Sequence, residues 1–233
     1  MEHGSTSWLL TLPFLSHDAH YEHVNGAVIV FLAILTVSIL AHLAIKGKED
    51  TLIVPPRKFG LVSLVDLIVG GLHKMVVDVV GYHGERYIYF IGACFVFILF
   101  SNLLGLLPMS SSPSSNVNTT FALGISAFIY YNFVGIQAHG LKNYGKHFLM
   151  GLGIFGLPIA LVEMISHFIR PASLGLRLAV NLHIDHQLVG SFQQLCAWVV
   201  PVPLMLFGII VCVIQAFLFS ILTTVYVAMA TEH

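Results

Sequence analysis

Three observations predict an all-α integral membrane protein, with about five transmembrane helices plus one interfacial amphipathic helix. The 233 residues are 57% hydrophobic and only 9% charged, with a mean hydropathy of +0.90. The apolar residues gather in runs of about 20, the length a helix needs to cross a bilayer core. Eight of the ten basic residues gather between those runs, on one side only. A soluble domain of this length does not carry so few charges. The whole chain, 1–233, therefore reads as a single membrane domain. Net charge is near zero, which offers no basic surface to nucleic acid.

Residues 1–23 form an external N-terminal segment. The first 26 residues hold no Lys or Arg. The start thus lacks the basic region of a signal peptide, and the first apolar run is expected to be a permanent span. That span is 24–45, closed by Lys46-Gly47-Lys48-Glu49-Asp50, with a polar linker continuing through Pro55-Pro56-Arg57-Lys58. In 61–80 a polar residue recurs about every turn: Ser63, Asp66, Gly70, His73 with Lys74, and Asp78. This is helical periodicity with one wet stripe. It predicts a helix along the interface, because Asp66, Lys74 and Asp78 would each be costly inside.

Residues 87–107 are the second span, ended by Pro108, and 109–118 are an uncharged Ser/Pro/Asn turn. The third span is 119–139, followed by the basic loop Leu141-Lys142-Asn143-Tyr144-Gly145-Lys146-His147. From 158 to 200 the chain reads as one helix. At about 1.5 Å per residue it would be on the order of 60 Å long, against a core of about 30 Å. It must tilt, bend at Pro171 or run partly along the surface. Pro201-Val202-Pro203 is expected to break it, and 204–230 to form the last span. The last two helices then make a long tilted hairpin.

Lys46, Lys48, Arg57, Lys58, Lys74, Arg86, Lys142 and Lys146 fall on one side of this topology, while residues 1–23, 109–118 and 201–203 carry no Lys or Arg. The positive-inside rule makes the basic side cytoplasmic. Five crossings put the N-terminus outside and the C-terminus inside, in a cell membrane.

Arg177 is the exceptional residue. It lies in Ser173-Leu174-Gly175-Leu176-Arg177-Leu178-Ala179-Val180-Asn181, at membrane depth. A guanidinium does not shed its charge, and holding it there costs roughly 2.5 kcal/mol on insertion scales. On a helical wheel Glu163, Ser166, Arg170, Ser173, Asn181 and, more loosely, Asp185 share its side. His186 falls on the opposite face. Gln215 on the last span is a candidate partner. Hydrogen bonding between helices would account for Ser166, Ser173 and Gln215 by themselves. It does not account for Arg177, because no acid sits at the spacing of a tight partner, and the missing counter-charge points to another chain. The stripe reads as a hydrated ion path with a fixed positive charge in its middle.

Other signals are weaker. Cys94, Cys196 and Cys212 are far apart in apolar runs, without metal-ligand spacing or a disulfide framework. His17, His20 and His23 read as a solvated tail. His183-Ile184-Asp185-His186 resembles half of a metal site, but a metal enzyme needs further ligands at that depth. No metal or other cofactor is expected. His42 and His139 sit at span ends, where His is ordinary. Asn102 reads as glue between spans.

The residues also carry a resemblance. Ser173-Leu174-Gly175-Leu176-Arg177-Leu178 with Asn181 is similar to the signature of the a subunit of F-type ATP synthases. Asn102-Leu103-Leu104-Gly105-Leu106-Leu107-Pro108 and the ending Gln215-Ala216-Phe217-Leu218-Phe219-Ser220-Ile221-Leu222-Thr223-Thr224-Val225-Tyr226 support it. The resemblance spans roughly residues 83 to 233. It implies a proton-conducting stator subunit of the membrane sector, without a catalytic site of its own. Its partners would be a rotating ring of c subunits, the b-subunit peripheral stalk and the remainder of the synthase, in a bacterial inner membrane. Two offset half-channels would serve the ring carboxylates, with Arg177 in the essential arginine position between them.

By the same resemblance Asn181 and Gln215 take polar positions near that arginine, and Glu163 the acidic position of the cytoplasmic half-channel. His186 takes an outer half-channel position where many bacterial members have Glu. The family often has an ionisable group where this chain has Gly208, and Asp185 stands where Gly is usual. Asp185 is therefore expected to supply the missing carboxylate. Two other classes remain. A secondary transporter would show inverted repeats and broken helices in both halves, and the sequence shows no repeat. A metal-dependent membrane enzyme would use His183, Asp185 and His186.

Overall fold

The computed structural model describes residues 22–46, 60–106, 112–140, 156–195 and 201–231. The elements are α1 (Glu22–Ile45), α2 (Leu61–Val80), a 3-10 turn (Tyr82–Tyr87) leading into α3 (Ile88–Gly105), a second 3-10 turn (Pro113–Ser115), α4 (Val117–His139), α5 (Gly156–Leu195) and α6 (Pro201–Thr231). Among the described residues there is no strand. The segments holding His17, His20, Lys48, Arg57, Lys58, Lys142, Lys146 and Cys196 lie outside the described residues.

Four helices, α1, α3, α4 and α6, are long and apolar enough to cross a membrane. Their outward surfaces carry large apolar side chains: Phe31 and Leu32 on α1, Ile129 and Phe133 on α4, Phe207 and Ile210 on α6. In water such faces would drive association, whereas lipid tails cover them at no loss. The fifth expected crossing is α5. It carries Glu163, Arg170, Arg177 and Asp185 along 40 residues, which makes it more polar than the other four.

The starts of the last two helices differ from expectation, for one reason. Helix α5 begins at Gly156, so Pro158 lies within its first turn. Helix α6 begins at Pro201, so the Pro201-Val202-Pro203 segment opens the last helix instead of standing before it. First-turn N–H groups have no partner inside the helix, so a proline there loses nothing. Residues 196–200 lie outside the described residues.

The wet stripe expected on α2 is present. Leu72, Met75 and Val76 are buried, while Asp66, Gly70, His73, Lys74 and Asp78 are exposed. The helix ends at Gly81, whose φ of 86° lies in the region that favours glycine. Across this turn His73 Nε2 lies 3.6 Å from Glu85 Oε1. Both side chains are well exposed, so the pair contributes little.

Small residues set the helix packing around the last two helices. Gly208, Cys212, Ala216, Ser220, Thr224 and Ala228 recur every fourth residue along α6, and all are buried. Such a ridge lets neighbouring helices approach closely; α6 packs on α2, α3, α4 and α5. The most extensive helix pair is α4 with α5. A Cβ built on Gly124 would lie 2.5 Å from the Pro171 carbonyl oxygen, and one on Gly175 would lie 3.0 Å from that of Thr120. Two glycines, one on each helix, thus bring the backbones together.

The Ser/Pro/Asn turn is folded inward. Ser112, Pro113 and Ser114 are all buried. Ser112 Oγ donates to the Ser101 carbonyl at 2.8 Å, and Ser114 Oγ donates to Asn102 Oδ1 at 2.7 Å. Asn102 therefore fastens its span to the following turn, where it was expected to join two spans. Hydroxyls make this burial tolerable by satisfying the end of α3.

Candidate functional site

Pro171 shapes the middle of α5. It has no N–H, so the carbonyl of His167, four residues earlier, loses its helical partner. The Tyr131 hydroxyl reaches that carbonyl at 3.5 Å. The helix continues through the proline, held against α4 by this contact and by the Gly124 approach.

Beyond Pro171, Leu174, Leu178 and Ala179 are buried, and Leu176, Arg177 and Val180 are exposed. The side of α5 that carries Arg177 is therefore left largely open by the described helices. Arg177 lines a small open cleft with Leu174 and Leu178 of its own helix and Gln215, Phe219 and Leu222 of α6. Among the described residues Arg177 has no hydrogen-bond or ion-pair partner. A charge with apolar neighbours and one amide nearby stays strongly attractive to an anion, because little water screens it.

Seven residues earlier, Arg170 behaves differently. Its guanidinium stands over the Tyr226 ring, 5.3 Å from the centroid. Tyr226 in turn packs on Tyr131, with ring centroids 5.7 Å apart. Arg170 faces Tyr226 and Arg177 faces Phe219, so the two helices run antiparallel as a hairpin. Ser173 donates to the Arg170 carbonyl at 2.9 Å and is satisfied within its own helix. The expected polar stripe is thus not uniform: Arg170 is engaged with α6, and Arg177 stands open.

The structure brings Arg177 and Gln215 together. Glu163, Asn181, Asp185 and His186 lie on the backbone of α5, but their side chains fall outside what is described. His183 Nε2 lies 3.0 Å from Gln187 Nε2, on an exposed face. Among the described residues no three His, Cys, Asp or Glu side chains come together as metal ligands would. Gly208 is buried, and a Cβ on it would lie 2.7 Å from Leu106 Cδ2. The space beside Gly208 is thus filled by the Leu106 side chain.

One polar pair escaped the sequence reading. His167 Nε2 lies 2.9 Å from Asn132 Oδ1, joining α5 to α4. Asn132 Nδ2 donates to the Phe128 carbonyl at 2.8 Å. The available signals were a lone amide in an apolar span and a His four residues after Glu163. Neither spacing identifies its partner on another helix.

The family profile described as ATP synthase A chain matches residues 27–228. Similar proteins include ATP synthase subunit a of Bdellovibrio bacteriovorus, 39% identical over 230 residues, which cover 98% of this chain and 99% of that protein. ATP synthase subunit a of Geotalea uraniireducens is 38% identical over 221 residues, covering 94% and 93%. ATP synthase subunit a 3 of Pelobacter propionicus is 36% identical over 222 residues, covering 95% and 92%.

Proposed function

From the premise that the chain belongs to the ATP synthase A chain family, we propose that it is the proton-conducting stator subunit of the membrane sector of an F-type ATP synthase. It works as one subunit of that complex, and ATP chemistry belongs to the soluble head. Its partners are the c-subunit ring and the b-subunit peripheral stalk. The N-terminus faces outward and the C-terminus faces the cytoplasm.

The observation that carries this reading is the exposed Arg177 beside Gln215, with no ion-pair partner among the described residues. A ring carboxylate that enters lipid must be protonated, since its ionised form is expensive there. Opposite Arg177 the ionised form is favoured. The arginine thus releases the proton into one half-channel and blocks direct passage to the other. Arginine suits this because, unlike lysine, it keeps its charge when desolvated. Glu163 serves the cytoplasmic half-channel. Asn181, Asp185 and His186 line the outer one, and Gln215 keeps Arg177 in place at their meeting point. Rotation of the ring is then the low-cost route across.

The test is ATP synthesis driven by a proton gradient in inverted membrane vesicles. Arg177→Ala is expected to abolish coupled synthesis while the complex still co-purifies with its c ring. Substantial coupled synthesis by that variant would overturn the reading.

A further inference from the structure

We propose that His183 is a proton-exchanging residue on the exposed face of α5, on the outer side of Arg177, where it hands protons between the outer half-channel and the c-subunit carboxylates. This rests on the function proposed above and adds to that path a residue it does not yet use.

Leu176, Arg177, Val180, His183, Ile184 and Gln187 are all exposed. At about 100° per residue they fall within one arc of about 120° on the helical wheel. Apart from Arg177, the polar members of this arc are His183 and Gln187. Opposite them the antiparallel α6 presents Ile209, Ile210, Val213, Ile214 and Phe217, all exposed and apolar. His183 and Gln187 are thus a polar pair on an otherwise oily surface.

His183 lies six residues beyond Arg177, about 9 Å along the helix. Half of a bilayer core is about 15 Å, so His183 is still at membrane depth. An imidazole and an amide turned toward lipid tails there would be stripped of water without compensation. Such groups belong against a water-filled cavity or a partner chain. The exposed face of α5 meets both where the outer half-channel reaches the c ring.

His183 also has few rivals. Helix α5 packs on α4, α6 and the second 3-10 turn. Residues 201–217 of α6 hold one titratable side chain, the Cys212 thiol, which is buried. Residues 117–129 of α4 and the turn Pro113–Ser115 hold none. The charged and titratable groups close to His183 in register are therefore those of α5 itself: Arg177 before it, and Asp185 and His186 just after it.

His183 Nε2 lies 3.0 Å from Gln187 Nε2, one turn further on. An amide suits both states of the imidazole. Its N–H donates to the bare nitrogen of the neutral form, and its oxygen accepts from the protonated form. In the step, the neutral imidazole takes one proton from water of the outer path and becomes a cation. The N–H bond so formed then breaks toward an ionised c-subunit carboxylate, which becomes neutral, and the neutral imidazole returns. A helix of 40 residues is about 60 Å long and must tilt across a core of about 30 Å. Six residues along it are a step sideways as well as outward. A carboxylate travelling past this face therefore meets Arg177 and His183 in succession.

The experiment uses the assembled membrane sector reconstituted in vesicles. Passive proton flux is followed while pH at the outer face is varied. A free imidazole titrates near 6.5, so wild-type flux should show an inflection in the neutral range. His183→Gln keeps a polar group beside Gln187 but cannot titrate. It is expected to lower flux about five-fold or more and to move the inflection. His183→Glu restores a titratable group and should recover part of the flux, with the inflection at lower pH. His183→Cys, with Cys94, Cys196 and Cys212 replaced by Ser, should react with a membrane-impermeant thiol reagent added on the outer side and lose flux on reaction.

Wild-type flux and inflection in His183→Gln would overturn the proposal. So would a fall in flux with the inflection unmoved, which is the mark of a packing role. A His183→Cys variant that the reagent does not reach would place this face in lipid and overturn it as well. If His183→Gln does not assemble, His183→Asn is read by the same criteria. Arg177→Ala in parallel separates the two levels. Coupled synthesis surviving in Arg177→Ala would remove the path itself. Its loss, beside a silent His183→Gln, would remove only the role of His183.

Discussion

Arg177 on α5 and Gln215 on α6 line one cleft, whose remaining walls are the apolar side chains of Leu174, Leu178, Phe219 and Leu222. An amide oxygen can accept from a guanidinium without cancelling its charge. An acid at 215 would pair with Arg177 and withdraw it from any partner chain. Gln215 can orient the arginine and still leave its charge for the proposed partner chain.

Replacing Gln215 tests this division of labour. Gln215 is the one polar side chain beside Arg177 in the cleft, and a bond it makes to the guanidinium during turnover would contribute about 1.5 kcal/mol. Gln215→Leu should therefore reduce coupled ATP synthesis about ten-fold, with assembly intact. Gln215→Glu should be worse than Gln215→Leu, because it neutralises Arg177. Equal activity of the two variants would contradict the argument.

The α4–α5 contact should resist any side chain at Gly124. A Cβ there would meet the Pro171 carbonyl oxygen at 2.5 Å, and a backbone atom cannot move aside. Gly124→Ala should destabilise the subunit by about 1–3 kcal/mol, seen as a lower midpoint of thermal unfolding in detergent. Gly208→Ala meets only the flexible end of Leu106 and should lower the midpoint less. The opposite order would show that the two approaches are misjudged.

Arg170 and Tyr226 hold the hairpin on the other side of Pro171. Tyr226→Phe keeps an aromatic face under the guanidinium, whereas Tyr226→Leu removes it. The second variant should lose about 0.5–2 kcal/mol of stability relative to the first. Thermal unfolding of the two variants, compared with the same pair in an Arg170→Ala background, isolates this term. A difference that persists without Arg170 would assign it to packing alone.

The proposed path gives Asp185 and His186 together to the outer half-channel. With Leu106 filling the space at Gly208, the last helix offers no titratable group there. Asp185→Asn and His186→Ala should each cut proton flux strongly and alter its pH dependence, because a carboxylate can pass protons to an imidazole that titrates near neutral pH. Side chains about 100° apart on a helix line successive parts of one path. Normal pumping by Asp185→Asn across the working pH range would remove the compensating role of Asp185 while leaving the family membership untouched.

The elements were legible because apolar runs and their polar punctuation are local signals. The wet stripe of α2 was readable from Asp66, His73, Lys74 and Asp78 for the same reason. The role of Pro201 at the start of α6 was not, since a proline that ends one helix and one that starts the next look alike in a short apolar stretch. Within the site, Arg177 stood out by the cost of its charge, and Gln215 followed from it. His167, Asn132 and Tyr226 did not stand out. Their meaning lies in contacts between helices, which no spacing along one helix reveals. The inward fold of Ser112 and Ser114 was hidden likewise, because a run of serines reads as a wet loop until its hydroxyls find Ser101 and Asn102.

The central claim is that the Arg177 face of α5 meets a neighbouring chain. Single cysteines placed at positions 173–181, with Cys94, Cys196 and Cys212 replaced by Ser, can be cross-linked to cysteines at the carboxylate level of the c subunit. The exposure pattern predicts strong cross-linking at 176, 177 and 180 and weak cross-linking at 174, 178 and 179. Maxima at 174 and 178, or cross-linking without helical period, would contradict the account.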